Sequence, residues 1–385
     1  MSNHTRSDPF HVLIAGGGVA ALEAMMALRA LAGDRVAITL LAPERDFHYR
    51  PMAVAEPFAI AHARSIALVA VAADFGARRI ADTLARVEPA EHRVVTGDGD
   101  RVSYDALVIA CGTRPRPAFD GVITIDDRTL GATLRGLVQD VEQGYTREIA
   151  FVAPPQPFWP LPLYELALLT AQRAFDMNAT VDISIVSPER VPLARFGPAV
   201  SEHLSMLLGA ARIAFHGSSC ATFAHGELML APGAIGRRPG RVVALPLLDG
   251  PRIAGLPADA DGFIAVTEYG AVEGVDDVYA AGDATTQPIK HGGIAAQQAD
   301  VVASVLAAGA GAAVDPRPLR PVLRGMLLTG GDPLFLEAEL AGDGDGDAIA
   351  RSTIGDVCPW DPPTKIAARH LGPYLAAGDR HVVRA

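Results

Sequence analysis

The sequence predicts an α/β protein with two Rossmann-like, three-layer domains of parallel strands. The first is split by insertion of the second, and a C-terminal α+β cap follows. Three observations predict this. Apolar strands at residues 12–15 and 36–41 flank a helix-forming run at 22–31 rich in Ala, Leu and Met. A second strand–helix–strand pattern occupies residues 149–153, 161–173 and 182–186. A late apolar strand, Val278-Tyr279-Ala280-Ala281, ends in Gly282-Asp283 and needs a sheet to join. At 385 residues, 50% of them hydrophobic, the chain can build two domains with real cores. The expected boundaries are 1–117 with 256–318, 118–255 for the insert, and 319–385 for the cap.

The first strand runs straight into Gly16-Gly17-Gly18-Val19-Ala20-Ala21. Gly16 permits the tight turn, Gly18 lets backbone approach a pyrophosphate, and Ala21 keeps helix and strand close. The helix N-terminus adds free N–H groups and a partial positive charge. Gly33 closes the helix. An acid should follow the second strand to accept hydrogen bonds from ribose hydroxyls; Ala42 stands there, and Glu44 is the nearest candidate. The corresponding turn of the insert, residues 154–162, has no glycine and five prolines. Each proline removes a donor and fixes φ negative, which dismantles a phosphate nest while leaving Pro162 suited to a first helical turn.

Residues 262–266 and 278–284 resemble the late FAD segment of the pyridine nucleotide-disulfide oxidoreductase superfamily. Residues 104–115, with Cys111-Gly112, are similar to that superfamily's Ala-Thr-Gly strand. The resemblance implies non-covalent FAD. Asp283 then accepts from the ribityl chain, Gly282 makes the turn, and Cys111 and Gly112 pass beside the cofactor. It also makes the insert a degenerate NAD(P)-type domain, whose proline turn argues against a standard NAD(P)H site. The redox cysteine pairs of glutathione-reductase-like and thioredoxin-reductase-like enzymes are absent: residues 46–56 hold no cysteine, and Cys220 stands alone. The remaining resemblance is to type II NADH dehydrogenases and sulfide:quinone oxidoreductases. Phe47-His48-Tyr49-Arg50-Pro51 and residues 290–298 carry it, and such segments flank the isoalloxazine in those proteins. Pro162-Leu163-Tyr164-Glu165 is similar to the sulfide-oxidising enzymes, but Trp159 stands about where their catalytic cysteine falls.

Gly292-Gly293 opens a predicted helix to about Leu306. Aimed at the flavin, its N-terminus would stabilise the anion formed on reduction. Lys290 or His291 is a candidate for adding charge or a proton there. Gln297 and Gln298 face either a quinone-like acceptor or the helix surface. Phe158, Trp159 and Tyr164 are expected to wall the place where nicotinamide would lie. Glu165 beside them would be partly desolvated, with a raised pKa suited to proton transfer, or else would cap its helix.

The net charge of −11 argues against nucleic acid and anionic membrane surfaces as partners. Three cysteines without close spacing suit a reducing cytoplasm, and Cys111 and Cys220 read as buried small hydrophobes. No side-chain set has metal-ligand spacing, and residues 343–347 read as a polar turn rather than a calcium loop. The polar start does not read as a signal peptide, and no apolar run approaches the ~18 residues of a membrane span. A last helix is expected at about 363–377, ended by Gly378, and a homodimer stays open. Three functions remain. One is electron transfer from NAD(P)H, through an atypical site, to a quinone-like or other small acceptor. Another is direct action on a small organic or sulfur-containing substrate, and the third is a flavin-binding accessory role.

Overall fold

The chain opens with β1 (Phe10–Ala15), α1 (Val19–Ala32) and β2 (Val36–Leu41), and β3 (Ala106–Ile109) follows after an excursion. Its middle supplies β4 (Glu148–Val152), α2 (Leu161–Asp176) and β5 (Asp182–Val186). Its late part supplies β6 (Val278–Ala280), α3 (Gly292–Gly309) and α4 (Leu371–Val382). The computed structural model describes residues 8–125, 130–155, 159–232, 235–237, 239–340 and 349–382; Phe158 and the 343–347 turn lie outside them.

Two five-stranded parallel sheets result. The first has the order β6-β3-β1-β2 with Arg78–Ile80 at its edge, so the strand at 278–280 pairs with one laid down some 170 residues earlier. Such strands are covered on both faces, which is why they read as unbroken apolar runs. Val12 and Ile14 of β1 pack against Leu22, Met25 and Leu28 of α1 and share that cluster with Val302 and Leu306 of α3. Leu13 and Ala15 point to the other face, against Val87, Val94 and Ile264. The second sheet has the order Ile123–Thr124, Arg241–Ala244, β4, β5, Ile213–His216. An antiparallel pair, Arg114–Arg116 with Leu247–Asp249, joins the two crossings between the sheets.

Val322–Leu327, Leu334–Leu340 and Ile349–Gly355 form an antiparallel sheet whose Leu323, Leu327 and Leu336 share a core with Leu161 and Phe196. The last helix departs from expectation: it starts at Leu371, not near 363, and runs through Gly378. Residues before it satisfy their polar groups locally. Trp360 Nε1 donates to Thr364 O, and Thr364 Oγ1 donates to Ile366 O. The helix begins where a remote carboxylate takes its orphan donors. The fully buried Glu23 of α1 accepts the N–H groups of His370 and Leu371 at 2.8 and 2.6 Å. The reading of Cys111 and Cys220 as buried is also corrected, since both are exposed. Cys220 begins a strand of a small antiparallel sheet, and Cys111 follows β3 where the sheet opens onto a cavity. Among the described residues no helix is long and apolar enough to cross a membrane.

Candidate functional site

A cavity of about 660 Å³ lies beyond the C-terminal ends of β1, β2, β3 and β6, the end of a parallel sheet where ligands bind. Gly16 has φ +137°, and a Cβ there would stand 2.2 Å from Ala110 O, so only glycine fits. Gly18 and Gly112 line the cavity with nothing within 4 Å of where a Cβ would sit, which leaves bare backbone facing the space. Gly282, at φ +79°, lets the turn after β6 approach Ala20 and Ala295 closely. That turn is clamped from α3. Gly282 N donates to Gln298 Oε1 at 2.7 Å, and Gln298 Nε2 donates to Thr285 Oγ1 at 3.3 Å.

Ten of the expected cofactor residues line this one space: Gly16, Gly18, Glu44, Arg50, Pro51, Cys111, Gly112, Gly282, Asp283 and Gly292. Ala21 is buried within the α1 core behind the turn. Gly293 does not line the cavity; a Cβ there would stand 2.7 Å from the His291 ring. His291, the N-cap of α3, makes no side-chain cap among the described residues, which leaves the N–H groups of that first turn beside Gly292 uncapped by it. Although Cys111 opens onto the cavity, its Sγ donates to Ala15 O at 3.3 Å, and desolvation of the sulfur there, with the nearby Glu44 carboxylate, pushes the thiol up to about 12, which makes it a poor nucleophile. Ile125, Leu245, Arg252 and Ile366 also line the cavity without a local sequence signal that marks them, as does Tyr49 from the Phe47–Pro51 segment. Ile366 is tied in by its N–H, which donates to Tyr49 Oη at 2.9 Å.

The expected catalytic and substrate residues divide. Lys290 lines the cavity; burial lowers its pKa to about 8 against the pull of Asp283 and Asp259. Trp159 also lines it and stacks on His291 at 4.0 Å between ring centroids. His291 is a correction: complete burial drives its pKa to about 3, so it is neutral at physiological pH and cannot supply charge. Its Nδ1 has no hydrogen-bond partner among the described residues. Glu165 is another. It is fully buried away from the cavity wall, where it accepts two hydrogen bonds from Lys365 Nζ at 2.7 and 2.8 Å and one from Leu328 N at 2.9 Å. Burial raises its pKa as expected, against the Lys365 ammonium, but it faces the cap rather than an aromatic pocket.

Tyr164, expected as an aromatic wall, is fully buried, and its hydroxyl donates to Glu189 Oε2 at 2.9 Å. Glu189 also accepts from Ser187 Oγ and Ala194 N, so both its oxygens are engaged within its own unit. Gln297 does not face an acceptor either. It locks α3 to the cap edge by donating to Val322 O and accepting from Val322 N, each at 2.9 Å. Gln298 is spent on the Gly282 turn.

Residues 10–144 match the family described as pyridine nucleotide-disulphide oxidoreductase. No curated protein sequence matches the chain. Among solved structures, the sulfide:quinone oxidoreductase of the hyperthermophilic bacterium Aquifex aeolicus superposes with a TM-score of 0.79 at 18% identity, covering 90% of this chain and 87% of that one. A ferredoxin reductase from Rhodopseudomonas palustris gives 0.66 at 21%, covering 86% and 83%. An NAD-dependent persulfide reductase from A. fulgidus gives 0.62 at 16%, covering 86% and 64%. At these identities the likeness concerns the fold. With an open glycine turn, a free helix N-terminus and Asp283 on one cavity, the residues fit the dinucleotide that this fold carries. The family match across β1, α1, β2 and β3, continued by the shared fold of the remaining chain, supports placing this protein in the pyridine nucleotide-disulphide oxidoreductase superfamily.

Proposed function

We propose that the cavity holds non-covalent FAD and that a small organic or sulfur-containing substrate exchanges electrons with it directly, with no tightly bound NAD(P)H. FAD when bound supplies a reversible carrier of two electrons coupled to protons. Gly16 and Gly18 admit its diphosphate to the N-terminus of α1, and Glu44 takes its ribose hydroxyls. Asp283 accepts from the ribityl chain. The uncapped first turn of α3 stabilises negative charge on the ring system, and Lys290 holds a proton at its edge. Trp159, Pro162 and Leu245 supply an apolar wall that excludes water from the reacting face.

The observation that carries the absence of tight NAD(P)H binding is the Tyr164–Glu189 network. In a second dinucleotide site the acid after β5 would take a ribose; here it is half-buried and used by Tyr164, Ser187 and Ala194. Freeing it would leave those donors unsatisfied, at about 1–3 kcal/mol each. Denaturing the purified protein should release FAD in a 1:1 ratio. An anaerobic titration with micromolar NADH or NADPH should bleach the flavin slowly or not at all. Rapid stoichiometric bleaching would restore an NAD(P)H-dependent reaction through a non-standard site.

A further inference from the structure

A smaller cavity of about 140 Å³ adjoins the cofactor cavity, and Leu248 and Lys290 line both. Asp259, Asp261, Phe263 and Gln287 are among its other walls. The two aspartates are exposed, so this side pocket meets solvent, whereas Lys290 is only 8% exposed. Its ammonium is held in place. Nζ donates to Thr285 O and stands 3.9 Å above the Phe263 ring. The charged groups around it are Asp283 on the cofactor side and Asp259 on the pocket side, with Asp261 on the same pocket. The cavity has room for several waters of ~30 Å³ and opens toward the exposed Asp259 and Asp261, so water can reach Lys290 from this side.

We infer that the side pocket is the proton inlet of the redox site, with Lys290 carrying protons between its water and the cofactor cavity. The inference rests on the flavin reading above. When the bound carrier takes up electrons, Lys290 Nζ–H releases one proton into the cofactor cavity, and the nitrogen keeps the bonding pair as a neutral amine. That lone pair then takes a proton from solvent in the side pocket, which restores the ammonium. No electrons change hands in this step, and Lys290 ends as it began. Asp259 acts through Lys290 as a positioning residue, because its carboxylate favours the ammonium. A carrier that loses its proton near pH 8 suits the task, since it is neither a permanent charge nor permanently neutral.

The flavin-loaded protein can be titrated from about pH 6 to 10 while the bound flavin's absorbance is followed. Wild type should show a transition near pH 8, as the charge beside the ring changes. Lys290→Met should abolish it. Asp259→Asn should move it to lower pH, since the lost carboxylate favoured the charged amine. The Asn amide oxygen can still accept the Phe263 N–H that Asp259 Oδ1 accepts at 2.8 Å, so a fold defect does not mimic the shift. Thr286→Phe, which fills the pocket from its exposed edge, should slow indicator-detected proton uptake on photoreduction roughly tenfold at unchanged flavin content. A transition that persists in Lys290→Met or stays unmoved in Asp259→Asn overturns the inlet, as does no transition in wild type or unchanged uptake in Thr286→Phe. Colourless wild-type protein would instead overturn the flavin reading, and the inlet with it.

Discussion

At the end of β1 the chain turns through Gly16 to Gly18 and leaves bare backbone facing a cavity, whereas α2 after β4 begins at Leu161-Pro162 and presents the Trp159 and Pro162 side chains to that cavity instead of backbone donors. After β2, Glu44 faces the cavity; after β5, the half-buried Glu189 is held by Tyr164, Ser187 and Ala194. The strands, their parallel register and the crossover helices are alike in both sheets. A strand–helix–strand unit is therefore a packing solution first. It binds a dinucleotide only where donors and a carboxylate are left for one.

Breaking the first turn should have the largest effect. Gly16→Val drives a side chain into Ala110 O and demands a positive φ, and the two penalties together amount to roughly 2–6 kcal/mol. We expect flavin-free or insoluble protein, read by absorbance per mole and by circular dichroism; a normal flavin load would place the cofactor elsewhere. Next comes Glu165→Gln, on the helix of the second unit. It strands the buried Lys365 ammonium and should cost about 3–5 kcal/mol in urea unfolding. Glu165→Leu with Lys365→Met should recover much of that loss, which a carboxylate needed for proton transfer would not permit in turnover.

A third test acts on the seam between the units, where Trp159 stacks on His291. The folded-state pKa of His291 is about 3, below its ordinary 6.5, so unfolding takes up a proton between those values. Its stabilising contribution is complete above pH 6.5 and is lost as pH falls toward 3, by about 2 kcal/mol at pH 5. His11 and His370, also lowered by burial, act in the same sense. His291→Phe should flatten the acid limb of a stability–pH curve, and an unchanged limb would mean the imidazole is already charged. The smallest effect is expected from Tyr164→Phe. Removing one donor from Glu189 should cost about 1–2 kcal/mol and leave flavin content unchanged. Loss of flavin in this variant would mean the two units are not separable in the way their turns imply.

The parts legible in the sequence were those whose cause is local. Gly16 announces itself because a positive φ and a missing Cβ are properties of one residue, and the strands of both sheets follow from short apolar runs. The proline turn after β4 was legible for the same reason. What escaped depends on partners far away in the chain. Glu165 meets Lys365 across 200 positions, so nothing near Glu165 foretells an ion pair instead of a proton donor. Gln297 and Gln298 sit on one helix, yet one reaches the cap edge and the other the Gly282 turn. Cys111 departs from expectation because free cysteine is usually buried, and only the fold shows that residue 111 follows a strand at a cavity mouth.

Glu23 is made early and satisfied late. The N–H groups that its oxygens accept belong to residues 347 and 348 positions downstream. A chain that lacks His370 and Leu371 thus holds the Glu23 carboxyl in the apolar layer between α1 and α3 with Asp300 beside it but without those two N–H donors. Closure of the first layer is thereby tied to the arrival of residues 370 and 371 from the far end of the fold.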